Sequence, residues 1–255
     1  MLSVKFGALR DAEGAFVGMD CRPAAVRNFI AYSLKRLGVD FIDIYRPARL
    51  DPAVPIEETV GAIAEMVKAG YVRSIGLSEV NASTIRRAAA VHPIVDLQIE
   101  YSLIVRMIES EILPACRELG VGITAYGVLA RGLISGHWTK ARESEADSRR
   151  LSSRFSGDNL DHNLALVEAL RKVAASRKVS VAAIAVAWVL AQGKDIVPLV
   201  GARKRSQWAE SSAADGLELS HADLAAIERA IPKGAARGER YPAPAMAHLD
   251  SEKSG

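Results

Sequence analysis

Short runs rich in aliphatic and β-branched residues recur along the chain at Leu2–Phe6, Asp40–Tyr45, Val72–Leu77, Val95–Ile99, Gly122–Tyr126 and Ile196–Val200. Each is followed by a stretch whose apolar residues return every three or four positions. That alternation predicts parallel strands joined by crossover helices. The second crossover is the clearest: Pro55 opens it, Glu57 and Glu58 fall in its first turn, Ile56, Val60, Ile63 and Val67 share one face, and Lys68 with Gly70 closes it. The same reasoning predicts helices over Ala24–Leu37, Ala82–Val91, Ile108–Leu119, Leu160–Ala175, Val181–Gln192, Lys204–Ala213 and His221–Ala230. Ser180 and Ser220 stand at N-cap positions, Ser220 with Asp223 as a capping box, and Gly193 follows a helix end. Residues 136–159 are polar and without apolar period, which predicts a long surface loop. Residues 232–255 mix Gly, Pro and charge without a period and read as an irregular tail.

Composition narrows the class. With 255 residues, 49% apolar and 25% charged, the chain has enough apolar content for a sizeable core and is ordinary for a water-soluble α/β globule, here expected as a single domain over 1–255. The net charge of +3 is spread over scattered residues of both signs, with no basic stripe interleaved with aromatics, so nucleic acid is not an expected partner. Cys21 and Cys116 are far apart and outside any metal-ligand spacing, which fits reduced thiols and predicts no metal site. The longest apolar run, Val181–Ala191, is short of the roughly 20 residues of a membrane span, and the N-terminus lacks an export pattern, so a cytoplasmic protein is expected, with no membrane partner.

The candidate chemistry lies where strands end. Lys5-Phe6-Gly7, Ser78-Glu79, Gln98-Ile99-Glu100-Tyr101, Tyr126-Gly127 and Gly201-Ala202-Arg203 are small or polar endings, and in a β/α barrel the C-terminal ends of the strands converge on one functional face. The stretch Arg203-Lys204-Arg205 enters a helix whose N-terminus already carries partial positive charge, a conflict that a bound phosphate would remove. A solvated basic turn is the plain alternative.

The segments Asp51-Pro52, Pro55-Ile56-Glu57-Glu58-Thr59, Ile75-Gly76-Leu77-Ser78-Glu79, Leu97-Gln98-Ile99-Glu100-Tyr101-Ser102, Ile123-Thr124-Ala125-Tyr126-Gly127-Val128-Leu129-Ala130-Arg131-Gly132 and Pro198-Leu199-Val200-Gly201-Ala202-Arg203-Lys204 resemble the aldo-keto reductase family, in that family's order, from residue 2 to about residue 230. The resemblance implies a (β/α)8 barrel that uses NADPH to reduce an aldehyde or ketone, a small-molecule carbonyl substrate. It implies that Ser78 and Gln98 hydrogen-bond the nicotinamide carboxamide, with Glu79 standing where many members have Asn. Tyr126 would stack on the nicotinamide ring, its π-face fixing which side is open to hydride transfer. A core tyrosine is the alternative for that position. Leu129 and Arg131 would follow the pyrophosphate, Arg131 being equally readable as a solvated arginine. The adenosine 2′-phosphate would lie near Arg203, Lys204 and Arg205, with Gly201 also among the cofactor-binding residues, and Gln207 and Glu210 would line the adenine, with Ser211 in the place of a usual Asn.

Lys5 matches the lysine that, in the family, lowers the pKa of a catalytic tyrosine and pairs with an aspartate. That tyrosine and aspartate would lie roughly 30 residues or more upstream. The expectation is therefore an incomplete barrel of about six units, lacking the first two β/α units, either a longer reductase shortened at its start or a non-catalytic NADPH-binding or regulatory subunit. Ala48 occupies the position of the family's substrate-orienting histidine. Strand alternation puts Arg46 on the same side as Ala48, so Arg46 reads either as a substitute donor to the substrate carbonyl or as a structural arginine paired with a carboxylate.

Overall fold

A computed structural model describes residues 1–138 and 148–253. Its elements are β1 (Ser3–Phe6), β2 (Ala8–Arg10), β3 (Phe16–Met19), α1 (Pro23–Leu37), β4 (Ile42–Pro47), α2 (Ile56–Lys68), β5 (Val72–Ser78), α3 (Ala82–Val91), β6 (Ile94–Glu100), α4 (Ile112–Glu118), β7 (Gly122–Tyr126), α5 (Gly157–Ser176), α6 (Val181–Ala191), β8 (Ile196–Pro198), α7 (Arg205–Ser212), α8 (His221–Ala230) and a short α9 (Ala243–Met246). Six strands form one sheet in the order β1, β4, β5, β6, β7, β8, while β2 and β3 pair with each other. Among the described residues no pairing joins β8 to β1, so the sheet these strands form is open: an incomplete β/α barrel of the kind the alternation predicts.

The chain divides into two compact units, Met1–Ile99 with Ile108–Ile123 and Ala247–Gly255, and Glu100–Met107 with Thr124–Met246. In the first unit the strands pair in parallel, with Lys5 beside Arg46 and Ser78 beside Gln98. Helix α2 buries Ile56, Val60 and Ile63 as its period requires, each such side chain contributing about 1.5–3 kcal/mol on leaving water. Asn81 caps α3 by accepting the Thr84 N–H at 2.8 Å. Cys21 is buried, and desolvation raises its thiol to about 12, so it is not a thiolate near neutrality.

The β2–β3 hairpin lies outside the elements the periodicity predicts, because its strands are short and Leu9, Phe16 and Val17 are exposed. Its signal is the turn: Asp11 Oδ1 accepts from the N–H groups of Glu13 (3.0 Å) and Ala15 (2.8 Å), and Gly14 takes φ +85°.

In the second unit α6 is apolar on every face and buried from Val181 to Val189, the pattern of a core helix. Among the described residues no single helix is long and apolar enough to cross a membrane. Ser180 caps α6 through the Ala183 N–H at 3.0 Å, and Ser220 with Asp223 forms the expected capping box of α8. Of the predicted loop 136–159, residues 139–147 lie outside the described residues. Beyond them come two short 3-10 turns, and α5 begins at Gly157, before the predicted Leu160, with Asp158 favourably placed in its first turn. The predicted helix from Ile108 is a 3-10 turn, Met107–Glu109, followed by α4.

Candidate active site

In the first unit the strand ends bring five of the expected residues into one stretch of sheet. Arg46, on β4, is 1% exposed and ion-paired with Asp96 of β6. Its Nη2 donates to Ser3 Oγ at 2.7 Å, and its Nε has no hydrogen-bond partner. Of the two roles read for Arg46, the paired one is the arrangement observed. Gly76 makes the room: a Cβ there would come within 2.9 Å of Ile44 Cγ2 and 3.2 Å of the Arg46 guanidinium. Burial pulls the guanidinium below its ordinary value and Asp96 opposes this. Lys5 lies beside Arg46 across the strand pair and is exposed. Desolvation of its ammonium, with repulsion from Arg49 and Arg46, outweighs attraction by Glu79 and Asp96 and brings its pKa down to about 8.

Ser78 ends β5 fully buried, and its hydroxyl has no hydrogen-bond partner. Glu79 follows at φ 54°, a left-handed backbone rarely adopted by a residue with a Cβ. Its N–H donates to the Gln98 carbonyl at 3.2 Å. The Glu79 carboxylate accepts from Ser251 Oγ at 2.7 Å.

In the second unit Tyr126 ends β7 half-buried, its hydroxyl 3.0 Å from that of Tyr241. Gly127 takes φ 66°, and a Cβ there would meet Glu100 Cγ at 2.9 Å. Glu100, buried, pairs with Arg240 at 3.0 Å. The segment beyond Gly127 is wound left-handedly, with φ 47° at Ala130 and 56° at Arg131, strain of order 1–3 kcal/mol per residue of the sort that gathers at functional loops. The Leu129 carbonyl accepts from Gly132 N–H at 2.8 Å, and the Arg131 guanidinium lies 4.3 Å from the centre of the Tyr241 ring. Gly201, Arg203, Lys204 and Arg205 are exposed, and α7 has no acidic residue in its first turn. Gln207 Oε1 accepts from the N–H groups of Arg203 (2.9 Å) and Lys204 (3.1 Å), so it shapes this turn. Glu210 pairs with His137 Nε2 at 2.8 Å, at the edge of a cavity of about 140 Å³ that Arg171 and Val181 also line.

Sequence reasoning does not reach Asp96, Ser251, Tyr241, Arg240 or His137. Each acts through a side-chain contact distant in sequence, and the one signal available was charge, in the Gly238-Glu239-Arg240-Tyr241 stretch of the tail.

A mostly parallel α/β sheet with polar residues at its strand ends defines a β/α-barrel type of scaffold. The profile of the Aldo/keto reductase family matches residues 1–232. The chain is 43% identical over 219 residues to the probable aldo-keto reductase 1 of Glycine max, covering 86% of this chain and 63% of that protein, so it spans less than two thirds of this relative's length. Among solved structures, the glycerol dehydrogenase AKR11B4 from Gluconobacter oxydans superposes with TM-score 0.84 at 27% identity, over 99% of this chain and 74% of that one. The thermostable aldo-keto reductase Tm1743, solved with the inhibitor epalrestat, superposes with TM-score 0.67 at 24% identity, over 82% of this chain and 67% of that one, a likeness of fold. The chain belongs to the aldo/keto reductase family. The donor chemistry suits the family's nicotinamide dinucleotide: a buried hydroxyl at Ser78 lacks a partner, and an exposed cationic turn at Arg203–Arg205 lacks a counter-charge in its helix's first turn.

Proposed function

We propose that this chain is the dinucleotide-binding body of an NADP(H)-dependent oxidoreductase that reduces an aldehyde or ketone to an alcohol. The observation that carries this reading is the Ser78 hydroxyl, wholly buried and without a partner at the end of a parallel strand, since a buried donor is normally satisfied and a ligand's polar group would supply the partner it lacks. Ser78 and Gln98 hold the carboxamide, Tyr126 packs on the nicotinamide ring, Leu129 and Arg131 follow the pyrophosphate, and Gly201, Arg203 and Lys204 receive the 2′-phosphate. Gln207 keeps the phosphate-binding turn in shape, and Glu210 stands at the adenine side. The bound dinucleotide supplies the hydride. Lys5, with its pKa brought down to about 8, is the cation that would stabilise the developing alkoxide, which takes its proton from solvent water.

Supporting observations for NADPH over NADH are the three exposed cations at the start of α7 and the absence of an acidic residue in that first turn. One observation favours a second reading, a non-catalytic binding subunit. Ala48, where the family's substrate-orienting histidine is expected, offers no side-chain hydrogen bond, and Arg46 beside it is engaged by Asp96.

A fluorescence titration with NADPH, run beside an absorbance assay of its oxidation by a reactive aldehyde, separates the readings. Binding with turnover supports the reductase, and binding without turnover supports the subunit. Absence of binding contradicts both.

A further inference from the structure

We propose that Lys5 is a covalent binding site for aldehydes, its amine condensing reversibly with the aldehyde carbonyl to form an imine at the end of β1. The Nζ atom attacks the carbonyl carbon and forms the C–N bond. The oxygen then leaves as water, carrying off the two amine hydrogens, so the step needs no oxidant or reductant. Hydrolysis returns the aldehyde unchanged. No dinucleotide takes part, so the inference stands or falls apart from the reading proposed above. Lys5 sits one residue before the end of β1 and is exposed, which leaves it open to a small molecule from solution. Two guanidinium groups are fixed beside it. Arg46 is its partner in the strand register and is anchored by Asp96 and by Ser3 Oγ at 2.7 Å. Arg49 donates from Nη1 to the Ala48 carbonyl at 2.7 Å, and the Ala48 N–H donates to the Phe6 carbonyl at 2.8 Å, so Arg49 is tied back to the residue that follows Lys5.

A lysine condenses with a carbonyl only as the neutral amine, and loss of hydration together with a neighbouring cation is how a protein supplies that form. Both act on Lys5. Its ammonium loses hydration and is repelled by Arg49 and Arg46, while Glu79 and Asp96 attract it, and the sum brings the pKa down to about 8. Neither carboxylate serves Lys5 alone: Asp96 pairs with Arg46, and Glu79 accepts from Ser251 Oγ at 2.7 Å. Arg46 is 1% exposed and cannot swing away from the ammonium without breaking its ion pair. Next on the same face of the strand pair comes Ala48, which brings only a methyl group. At pH 7 a lysine with a pKa of about 8 is neutral in about one molecule in ten, roughly 300 times the share at the ordinary value of 10.5. A less basic amine attacks more slowly, so the net advantage is about tenfold or more.

The test exposes the unaltered chain to benzaldehyde and sodium cyanoborohydride at pH 7, which traps an imine as a stable benzylamine. Peptide mass spectrometry then gives the rate of labelling at each lysine. Lys35 on α1 and Lys68 on α2, both exposed, are the internal reference. Lys5 should be labelled faster than either by about tenfold or more. Arg49→Gln should slow the labelling of Lys5 about threefold by removing one repelling charge, and Arg49→Lys should keep the original rate. Lys35 and Lys68 should be labelled alike in all three chains, which also reports that the variants remain folded. Equal rates at Lys5 and the two reference lysines in the unaltered chain overturn the proposal. Fast labelling of Lys5 that Arg49→Gln leaves untouched overturns the part assigned to the Arg49 guanidinium.

Discussion

Gly76 shows how one missing side chain sets the chemistry around it. A Cβ on residue 76 would crowd the Arg46 guanidinium at 3.2 Å and Ile44 Cγ2 at 2.9 Å. Gly76→Ala should therefore destabilise the protein by about 1–3 kcal/mol, the usual cost of overpacking. Gly61 makes the internal comparison: it lies inside α2, and a Cβ there meets nothing within 4 Å. Gly61→Ala should stabilise by about 0.4–1 kcal/mol, and urea unfolding of the pair should show opposite signs. Lys5 yields a pH prediction. Its pKa falls from 10.5 to about 8 on folding, so the ammonium is disfavoured in the folded state. Below about pH 8 the lysine is charged whether folded or unfolded, and that penalty is present in full. Between about 8 and 10.5 the folded protein releases its proton first and the penalty fades. Lys5→Met should thus raise the melting temperature near pH 7, and the gain should shrink as the pH climbs toward 10. A gain that is independent of pH would show that the ammonium is not the cause.

At the scale of single elements, α7 carries the sharpest conflict. Arg205 begins the helix after Arg203 and Lys204, its first turn has no acid, and the N-terminal dipole repels cations. Gln207 holds the backbone of this turn through the Arg203 and Lys204 N–H groups, so the shape does not depend on the three charges. Replacing Arg203 and Arg205 by Gln should have effects of opposite sign. The free protein should gain about 0.3–1 kcal/mol per charge removed, while affinity for 2′,5′-ADP should fall by about tenfold, the loss of a charge-assisted contact. Calorimetric melting and a binding titration on the same samples check both. A lower melting temperature with unchanged affinity would mark these cations as structural.

Across the whole molecule, what could be read from the sequence divides by the range of the interaction. The strands and crossover helices follow from local periodicity, and Ser180, Ser220 and Asp223 cap the helices they were expected to cap, because each signal is contained within a few residues. The β2–β3 hairpin escapes that logic, since exposed short strands carry no buried period and only the Asp11–Gly14 turn betrays them. Ser251 and Glu79, bonded across 172 residues, leave no trace in any local window, and the same is true of Arg46 with Asp96 and His137 with Glu210. The residues expected to meet the dinucleotide are legible by resemblance to a family, whereas their partners emerge only when the strands are laid side by side.

The most direct test of the account is an isothermal titration of the chain with NADPH and, separately, with NADH. Tighter binding of NADPH by about tenfold or more, with the difference narrowing as salt is added, is the result expected if exposed arginine and lysine receive the 2′-phosphate. Equal affinity for the two dinucleotides, or heat from neither, would contradict it.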